Sequence, residues 1–106
     1  MLKYDQRQYR RMLDSIVAFE QGRVHLDTLV TDLEALLNAV NSPNTVWKQN
    51  FLNNWGKLED EKTFAQFKGL TTFDEEAMGR LRSAVDQLKL LVLEEIDDPA
   101  DSKRSP

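Results

Sequence analysis

Residues 26–40, LDTLVTDLEALLNAV, carry the strongest indication of the fold class of this chain. Its apolar residues recur every three or four positions, which is the period of an amphipathic α-helix with one buried face. The positions that share this face are Leu26, Leu29, Val30, Leu33, Leu36, Leu37 and Val40. The pattern predicts a helix over 26–40, and that helix needs partners to cover its apolar face.

The same period continues on the N-terminal side. An apolar stripe predicts a helix over 5–21, and Gly22 is suited to end that helix in a left-handed cap. The stripe consists of Tyr9, Met12, Leu13, Ile16 and Phe19, with Val17 on its flank. Because only a few residues connect this helix to the next, the two are expected to be antiparallel neighbours.

A turn-rich break around Pro43 precedes the third predicted helix, which spans 45–67 and is capped by Asn44 or Thr45. Gly56 costs about 1 kcal/mol relative to Ala inside a helix, so this segment is either one kinked helix, which we favour, or two shorter helices. Its apolar positions are Trp47, Phe51, Trp55 and Leu58, continued by Phe64, Ala65 and Phe67 toward Gly69. An aromatic stripe at helical spacing favours core packing over a binding site.

A fourth helix is predicted over 73–96. Thr72 and Glu75 fit a capping box, in which the hydroxyl and the carboxylate satisfy amides of the first turn. The expected buried positions are Phe73, Ala77, Met78, Leu81, Ala84, Val85, Leu88, Leu91 or Val92, and Ile96. Pro99 ends the pattern. The sequence therefore predicts an all-α protein, a small antiparallel bundle of about four helices spanning 1–98, with a flexible tail over 99–106.

Composition excludes several classes of site. The chain has 106 residues, no cysteine and one histidine, so it cannot form a disulfide framework, a cysteine zinc site or a thiol nucleophile. No glycine-rich phosphate loop or catalytic motif is present, and we expect no enzyme activity and no cofactor. The longest apolar run, at 90–93, is far shorter than the roughly 20 residues that span a bilayer. Without a signal-peptide pattern, the expectation is a cytoplasmic protein without membrane contact.

Acidic residues are concentrated toward the C-terminus. The formal net charge is -4, and residues 69–98 alone hold three basic and eight acidic side chains. This balance disfavours direct nucleic-acid binding and favours encounter with basic partners.

Three acidic clusters are candidate partner-binding sites. The first is Glu59, Asp60 and Glu61, whose side chains diverge by roughly 100° per residue and for which solvated surface is the alternative interpretation. The second comprises Asp74, Glu75 and Glu76. The helix cap and the helix dipole are a sufficient explanation for the acidic residues of this cluster. The third opposes the dipole at a helix C-terminus, where simple fraying is the alternative; it comprises Glu94, Glu95, Asp97 and Asp98, with Asp86 about two turns earlier.

The order of several elements between 19 and 59 resembles a known family. These elements are Phe19, Gly22, Val24, Leu26, the string LVTDLEALL at 29–37, Trp47, Phe51, Trp55 and the pair Leu58 and Glu59. The order and spacing resemble small helical immunity proteins encoded beside bacterial polymorphic toxins, including contact-dependent growth inhibition systems. The resemblance implies a protein without chemistry of its own that binds a cognate toxin domain in the cytosol and blocks its active site.

A basic nuclease domain is the toxin expected from this resemblance, because the acidic balance suits a basic cleft. The alternative function is a helical adaptor or assembly protein that acts through helix–helix contacts, with Val17, Leu52 and Leu90 as apolar residues off the main stripes. The protein is expected to be a monomer or a weak dimer.

Overall fold

The computed structural model describes residues 3–41, 44–70 and 72–96. This part of the chain forms four α-helices and no strand: α1 (Lys3–Glu20), α2 (Leu26–Ala39), α3 (Thr45–Lys68) and α4 (Glu75–Glu95). The predicted all-α bundle is confirmed. The predicted tail at 99–106 lies outside the described residues, as do Asp97 and Asp98.

The four helices pack as a ring, with α1 against α2 and α4, and α3 against α2 and α4. Their apolar faces meet in one core, as the helical period requires, since each amphipathic helix must bury its stripe against its neighbours. The core consists of Tyr9, Met12, Ile16, Leu26, Leu29, Val30, Leu33, Leu37, Val40, Trp47, Phe51, Leu58, Leu81, Ala84, Val85, Leu88 and Val92. The predicted stripes of the first two helices are confirmed.

The two tryptophans link α3 to its neighbours. The Trp47 indole nitrogen donates to the carbonyl of Leu91 at 2.7 Å, and the Trp55 indole nitrogen donates to the carbonyl of Val30 at 2.9 Å. Trp47 also contacts the Tyr9 ring edge-on, with 5.3 Å between ring centroids. A buried indole needs an acceptor for its N–H, so the bond to Leu91 makes the burial of Trp47 favourable. The prediction that Trp47 belongs to the core is confirmed, whereas Trp55 is partly buried and packs against the core.

Two glycines end helices in the left-handed conformation that non-glycine residues rarely adopt. Gly22 has φ of 75°, and the next amide, of Arg23, donates to Ala18 at 2.9 Å. Gly69 has φ of 69°, and the amide of Leu70 donates to Ala65 at 2.8 Å. Both arrangements satisfy carbonyls of the last helical turn, and the predicted cap at Gly22 is confirmed.

α3 is a single helix that continues through Gly56, so the alternative of two shorter helices is wrong. Its N-cap is Asn44, whose side-chain oxygen accepts from the amides of Val46 at 3.0 Å and Trp47 at 3.1 Å. Short polar side chains at this position satisfy amides that have no partner within the helix. Asn44, one of the two predicted capping residues, is therefore the cap.

The predicted aromatic stripe of α3 is wrong at its C-terminal end. Ala65 is buried, but Phe64 is 52% exposed and Phe67 is 84% exposed. Ala65 continues the buried face of Trp47 and Phe51. Phe64 lies one residue before Ala65 and Phe67 two residues after it, so at about 100° per residue both point away from the core.

The predicted capping box at Thr72 is also wrong. α4 begins at Glu75, and its N-cap is Asp74, whose carboxylate accepts from the amide of Ala77 at 2.8 Å. Asp is at least as good an N-cap as Thr, and this register leaves Phe73 outside the helix, partly buried against the core. The predicted burial of Met78 is wrong, because this residue is 38% exposed. Of the two alternatives Leu91 and Val92, Val92 is the fully buried one, and Leu91 is partly buried.

Two polar residues of α1 tie its N-terminal end to the ends of other helices. The Asp5 carboxylate is buried and accepts from the amide of Asn41 at 2.9 Å, just beyond α2. The Gln6 side-chain nitrogen donates to the carbonyl of Glu95 at 2.7 Å, in the last turn of α4. The bond from Gln6 satisfies a carbonyl that the end of α4 leaves without a partner, and the bond from Asn41 gives the buried Asp5 carboxylate a donor.

Candidate partner-binding site

The C-terminal acidic cluster is divided between the bundle and its surface. Glu94 is exposed, whereas Glu95 is half-buried beside the Gln6 bond to its own carbonyl. Burial raises the pKa of the Glu95 carboxyl, and the charge of Glu94 raises it further. Glu95 is therefore partly a structural residue, and Glu94 is the described member of this cluster that faces solvent fully.

Tyr9 reports the electrostatics of this end of the bundle. Burial raises the pKa of its phenol to about 12, and the negative charges of Glu95 and Asp5 act in the same direction. The phenol is consequently neutral at physiological pH. The carboxylates of α1 and α4 thus contribute negative potential here.

Asp86 lies on the outward face of α4 and shares it with two exposed leucines. Leu90 is 56% exposed and Leu93 is 45% exposed, at four and seven residues beyond Asp86. Residues at these intervals lie on the same side of a helix. Asp86, Leu90, Leu93 and Glu94 therefore form one continuous acidic and apolar surface, which we name the α4 face.

Leu93 was not among the predicted site residues. A sequence signal for it exists in the run of four apolar residues at 90–93. At about 100° per residue, four consecutive side chains cannot all point into one core, so some of them must face outward. Which of the four do so depends on the register set by α1 and α3.

The Glu59–Glu61 cluster does not converge on a common point. Glu59 is half-buried and Asp60 is exposed, while Glu61 binds the Arg80 guanidinium of α4 through both carboxylate oxygens, at 2.6 and 3.1 Å. The hydrogen bond from Arg80 to Glu61 raises the pKa of Arg80, and the charges of Asp74 and Glu76 raise it as well. The acidic groups around Arg80 therefore already interact with a cation of the same chain.

The Asp74–Glu76 cluster has a structural role at the start of α4. Asp74 is the N-cap, and Glu75 and Glu76 are exposed in the first turn, where the helix dipole favours negative charge. This arrangement leaves nothing in the cluster that requires a partner for its explanation.

The structure places the predicted clusters at opposite ends of α4. Glu75 and Glu95 are the first and last residues of the helix, and at 1.5 Å per residue they are separated by about 30 Å. The clusters at 59–61 and 74–76 meet around Arg80, whereas Glu94 and Glu95 lie at the other end, with Asp86 between the two ends. The predicted acidic residues are therefore two sites and not one surface.

A groove between α3 and α4 borders the α4 face. One cavity of about 360 Å³ lies among Asn44, Val46, Trp47, Asn50, Leu91, Glu94 and Glu95. A neighbouring cavity of about 400 Å³ is lined mainly by amides and shares Asn50 and Leu91 with the first. Val46, at the edge of the first cavity, is 67% exposed. The groove extends the surface around Glu94 with both apolar and hydrogen-bonding groups.

Two kinds of site are absent from residues 3–41, 44–70 and 72–96. No group of three or more His, Asp or Glu side chains in these ranges is arranged to hold a metal ion. None of the helices in these ranges combines the length and the hydropathy of a transmembrane span. Comparison of the chain with protein-family models, curated proteins and solved structures finds no match.

Proposed function

We propose that this protein is an immunity protein. It binds a basic toxin domain, for which a nuclease is the first candidate, and blocks the active site of that domain. The observation that carries the proposal is the α4 face, where Asp86 and Glu94 flank the exposed Leu90 and Leu93. The order of elements between Phe19 and Glu59 supports the same function through its resemblance to small helical immunity proteins.

The two kinds of side chain on the α4 face have different roles in this proposal. Leu90 and Leu93 supply apolar area, and its removal from water contributes about 25 cal/mol per Å² before the costs of association. Asp86 and Glu94 supply negative potential, which speeds encounter with a basic surface and selects against acidic partners. An apolar centre with charges at its edge is the usual arrangement of a protein–protein interface.

The position of Glu94 is a second reason to assign it a binding role. It lies in the last turn of α4, where the backbone carbonyls carry partial negative charge and a carboxylate is unfavourable by a few tenths of a kcal/mol. No ion pair of Glu94 occurs among the described residues. A local cost without a local gain is typical of functional positions.

Growth rescue tests the function directly. The domain that the neighbouring gene encodes is expressed in bacterial cells with and without this chain, and the proposal requires this domain to stop growth when it is expressed alone. Restored growth, together with a stable complex of the two purified proteins, is the expected result. Continued killing, or the absence of a complex, contradicts the proposal.

Charge reversal tests the surface. We expect Asp86→Lys with Glu94→Lys to slow association with the toxin domain by at least about tenfold at low salt and to flatten its salt dependence. Glu34→Lys, which reverses an exposed carboxylate on α2, is the matched control and should associate like the wild type. Equal association rates for the double variant and the wild type would remove the α4 face from the proposal.

A second candidate function is a helical adaptor or assembly protein. It is favoured by exposed apolar side chains that α3 and α4 do not use internally, such as Leu52, which is 39% exposed, and Leu90. Val17, the third residue considered for this role, is half-buried on α1. A neighbouring gene for an assembly subunit, with no toxin gene beside it, would favour this function.

A further inference from the structure

The C-terminal end of α3 presents an aromatic surface that no other helix in the described part of the chain covers. Phe67 is 84% exposed and Phe64 is 52% exposed, and the two lie three residues apart on one side of the helix. Phe67 is the most exposed large hydrophobic residue in the described ranges. An exposed pair of this kind, unlike a single apolar residue, indicates an interaction surface.

The direction in which this surface points explains why it is uncovered. Trp55, whose indole nitrogen bonds to the carbonyl of Val30, marks the side of α3 that faces α2. At about 100° per residue, Phe64 lies about 180° and Phe67 about 120° around the helix from Trp55, so both point away from α2. On the side of α3 that faces α4, Glu61 binds Arg80.

The exposed surface of this part of α3 carries an acid, an aromatic ring and a base at equal intervals. Asp60, Phe64 and Lys68 are separated by four residues each, so they form a continuous stripe along the helix, with Phe67 beside it. The Lys68 ammonium lies 5.8 Å from the centre of the Phe64 ring, which places the cation against this stripe. The opposite charges thus stand at either end of an aromatic centre.

The order of charges along this stripe is self-complementary when the α3 helices of two copies pair in antiparallel directions. If two stripes pair about Phe64, Asp60 of each copy lies opposite Lys68 of the other, and the two aromatic rings meet at the centre. A two-fold interface requires such self-complementarity, since the same patch must serve on both sides. The ion pairs Arg80–Glu61 and Lys89–Glu20, within the described part of the chain, use neither Asp60 nor Lys68.

We infer that a second copy of this chain docks on the Asp60–Phe64–Lys68 stripe in an antiparallel, two-fold arrangement. The dimer is weak, because a single helical stripe offers less area than the roughly 1,200 Å² at which stable complexes begin. The interface is on α3 and separate from the α4 face, so this inference does not rest on the proposed function.

Sedimentation equilibrium of the full chain, from about 10 µM to 1 mM, tests the dimer. The wild type is expected to self-associate within this range, less at high salt than at low salt. Asp60→Lys and Lys68→Asp each place two pairs of like charges across the interface, and each should weaken association by at least about tenfold. The double variant D60K/K68D recreates both pairs in reverse and should return association to within about threefold of the wild type.

Two variants separate this surface from others. Phe67→Glu should abolish the dimer, whereas Leu90→Ser with Leu93→Ser, on α4, should leave it unchanged. Circular dichroism confirms that each variant is folded. The inference is overturned if the wild type stays monomeric to 1 mM, if the double charge variant does not recover, or if the α4 variant also abolishes the dimer.

Discussion

The backbone of Glu95 stabilises the fold, whereas the surroundings of its side chain disfavour the charged carboxylate. Its backbone carbonyl accepts from Gln6, and this bond holds the N-terminal part of α1 against the end of α4. Its carboxyl is half-buried beside Glu94 and near Tyr9, and burial raises its pKa above the ordinary value of 4.5. The backbone group of Glu95 is therefore needed at this position, while the ionised side chain is not.

The raised pKa of Glu95 predicts that Glu95→Gln makes the protein more stable, by an amount that depends on pH. Folding favours the protonated carboxyl, so its stabilising contribution is complete below pH 4.5 and is lost as the pH rises through the higher pKa of the folded state. At pH 7, the free energy of unfolding of E95Q should exceed that of the wild type by about 0.3 to 1 kcal/mol. Urea melts from pH 3.5 to 7.5 measure this difference.

The gap between E95Q and the wild type should close as the pH falls toward 4.5. Glu94→Gln, in the same turn but exposed, is the comparison variant and should gain less at pH 7, since solvent screens its interaction with the helix end. A gap for E95Q that is constant with pH would show that the charge of Glu95 is not the cause.

At the scale of the helix, the start of α4 is decided by competition between two capping residues. Two caps are compatible with the sequence, one formed by Thr72 with Glu75 and one by Asp74 with Ala77. The structure has the cap at Asp74. The later start keeps the acidic Glu75 and Glu76 in the first turn and allows Phe73 to fold back on the core. Local capping and burial of Phe73 therefore favour the same register.

Alanine substitutions distinguish the two caps. Asp74→Ala should lower the free energy of unfolding by about 1 kcal/mol, because the amide of Ala77 loses its acceptor. Thr72→Ala, two residues earlier and exposed, is the matched control and should change it by less than about 0.5 kcal/mol. Thermal melts suffice, since 1 kcal/mol corresponds to a shift of about 4 to 8 °C for a domain of this size. A larger loss for Thr72→Ala would place the cap at Thr72.

At the scale of the whole molecule, the ring of helices makes one core to which every helix contributes. Leu33 is at its centre with no exposed surface, on a face of α2 that meets both α1 and α3. Leu33→Ala should lower the free energy of unfolding by roughly 2 to 5 kcal/mol, the range for a buried leucine that leaves a cavity.

Urea unfolding measures the Leu33→Ala loss, and Leu52→Ala on the surface of α3 is its control. Leu52 is 39% exposed, so its truncation should cost less than about 1 kcal/mol. A loss below about 1 kcal/mol for Leu33→Ala would mean that the core does not close around α2.

The class of the fold, the number of helices and most of the core follow from local signals in the sequence. Apolar residues at intervals of three and four are local signals, and each helix carries its own, so Leu33, Phe51 and Leu88 could be assigned to the interior without knowing their neighbours. The glycine cap at Gly22 and the cap at Asn44 are equally local, because they depend on a few consecutive residues.

Which surfaces remain uncovered depends on how the four helices pack. Phe64 and Phe67 are apolar like Phe51, but they lie on the side of α3 that points away from α2, and they remain exposed. The Glu59–Glu61 and Asp74–Glu76 clusters meet because Glu61 of α3 binds Arg80 of α4, and the Gln6 bond holds the other end of α4 against α1. These outcomes depend on which side of each helix its neighbours cover and on contacts between residues distant in sequence, which no local period encodes.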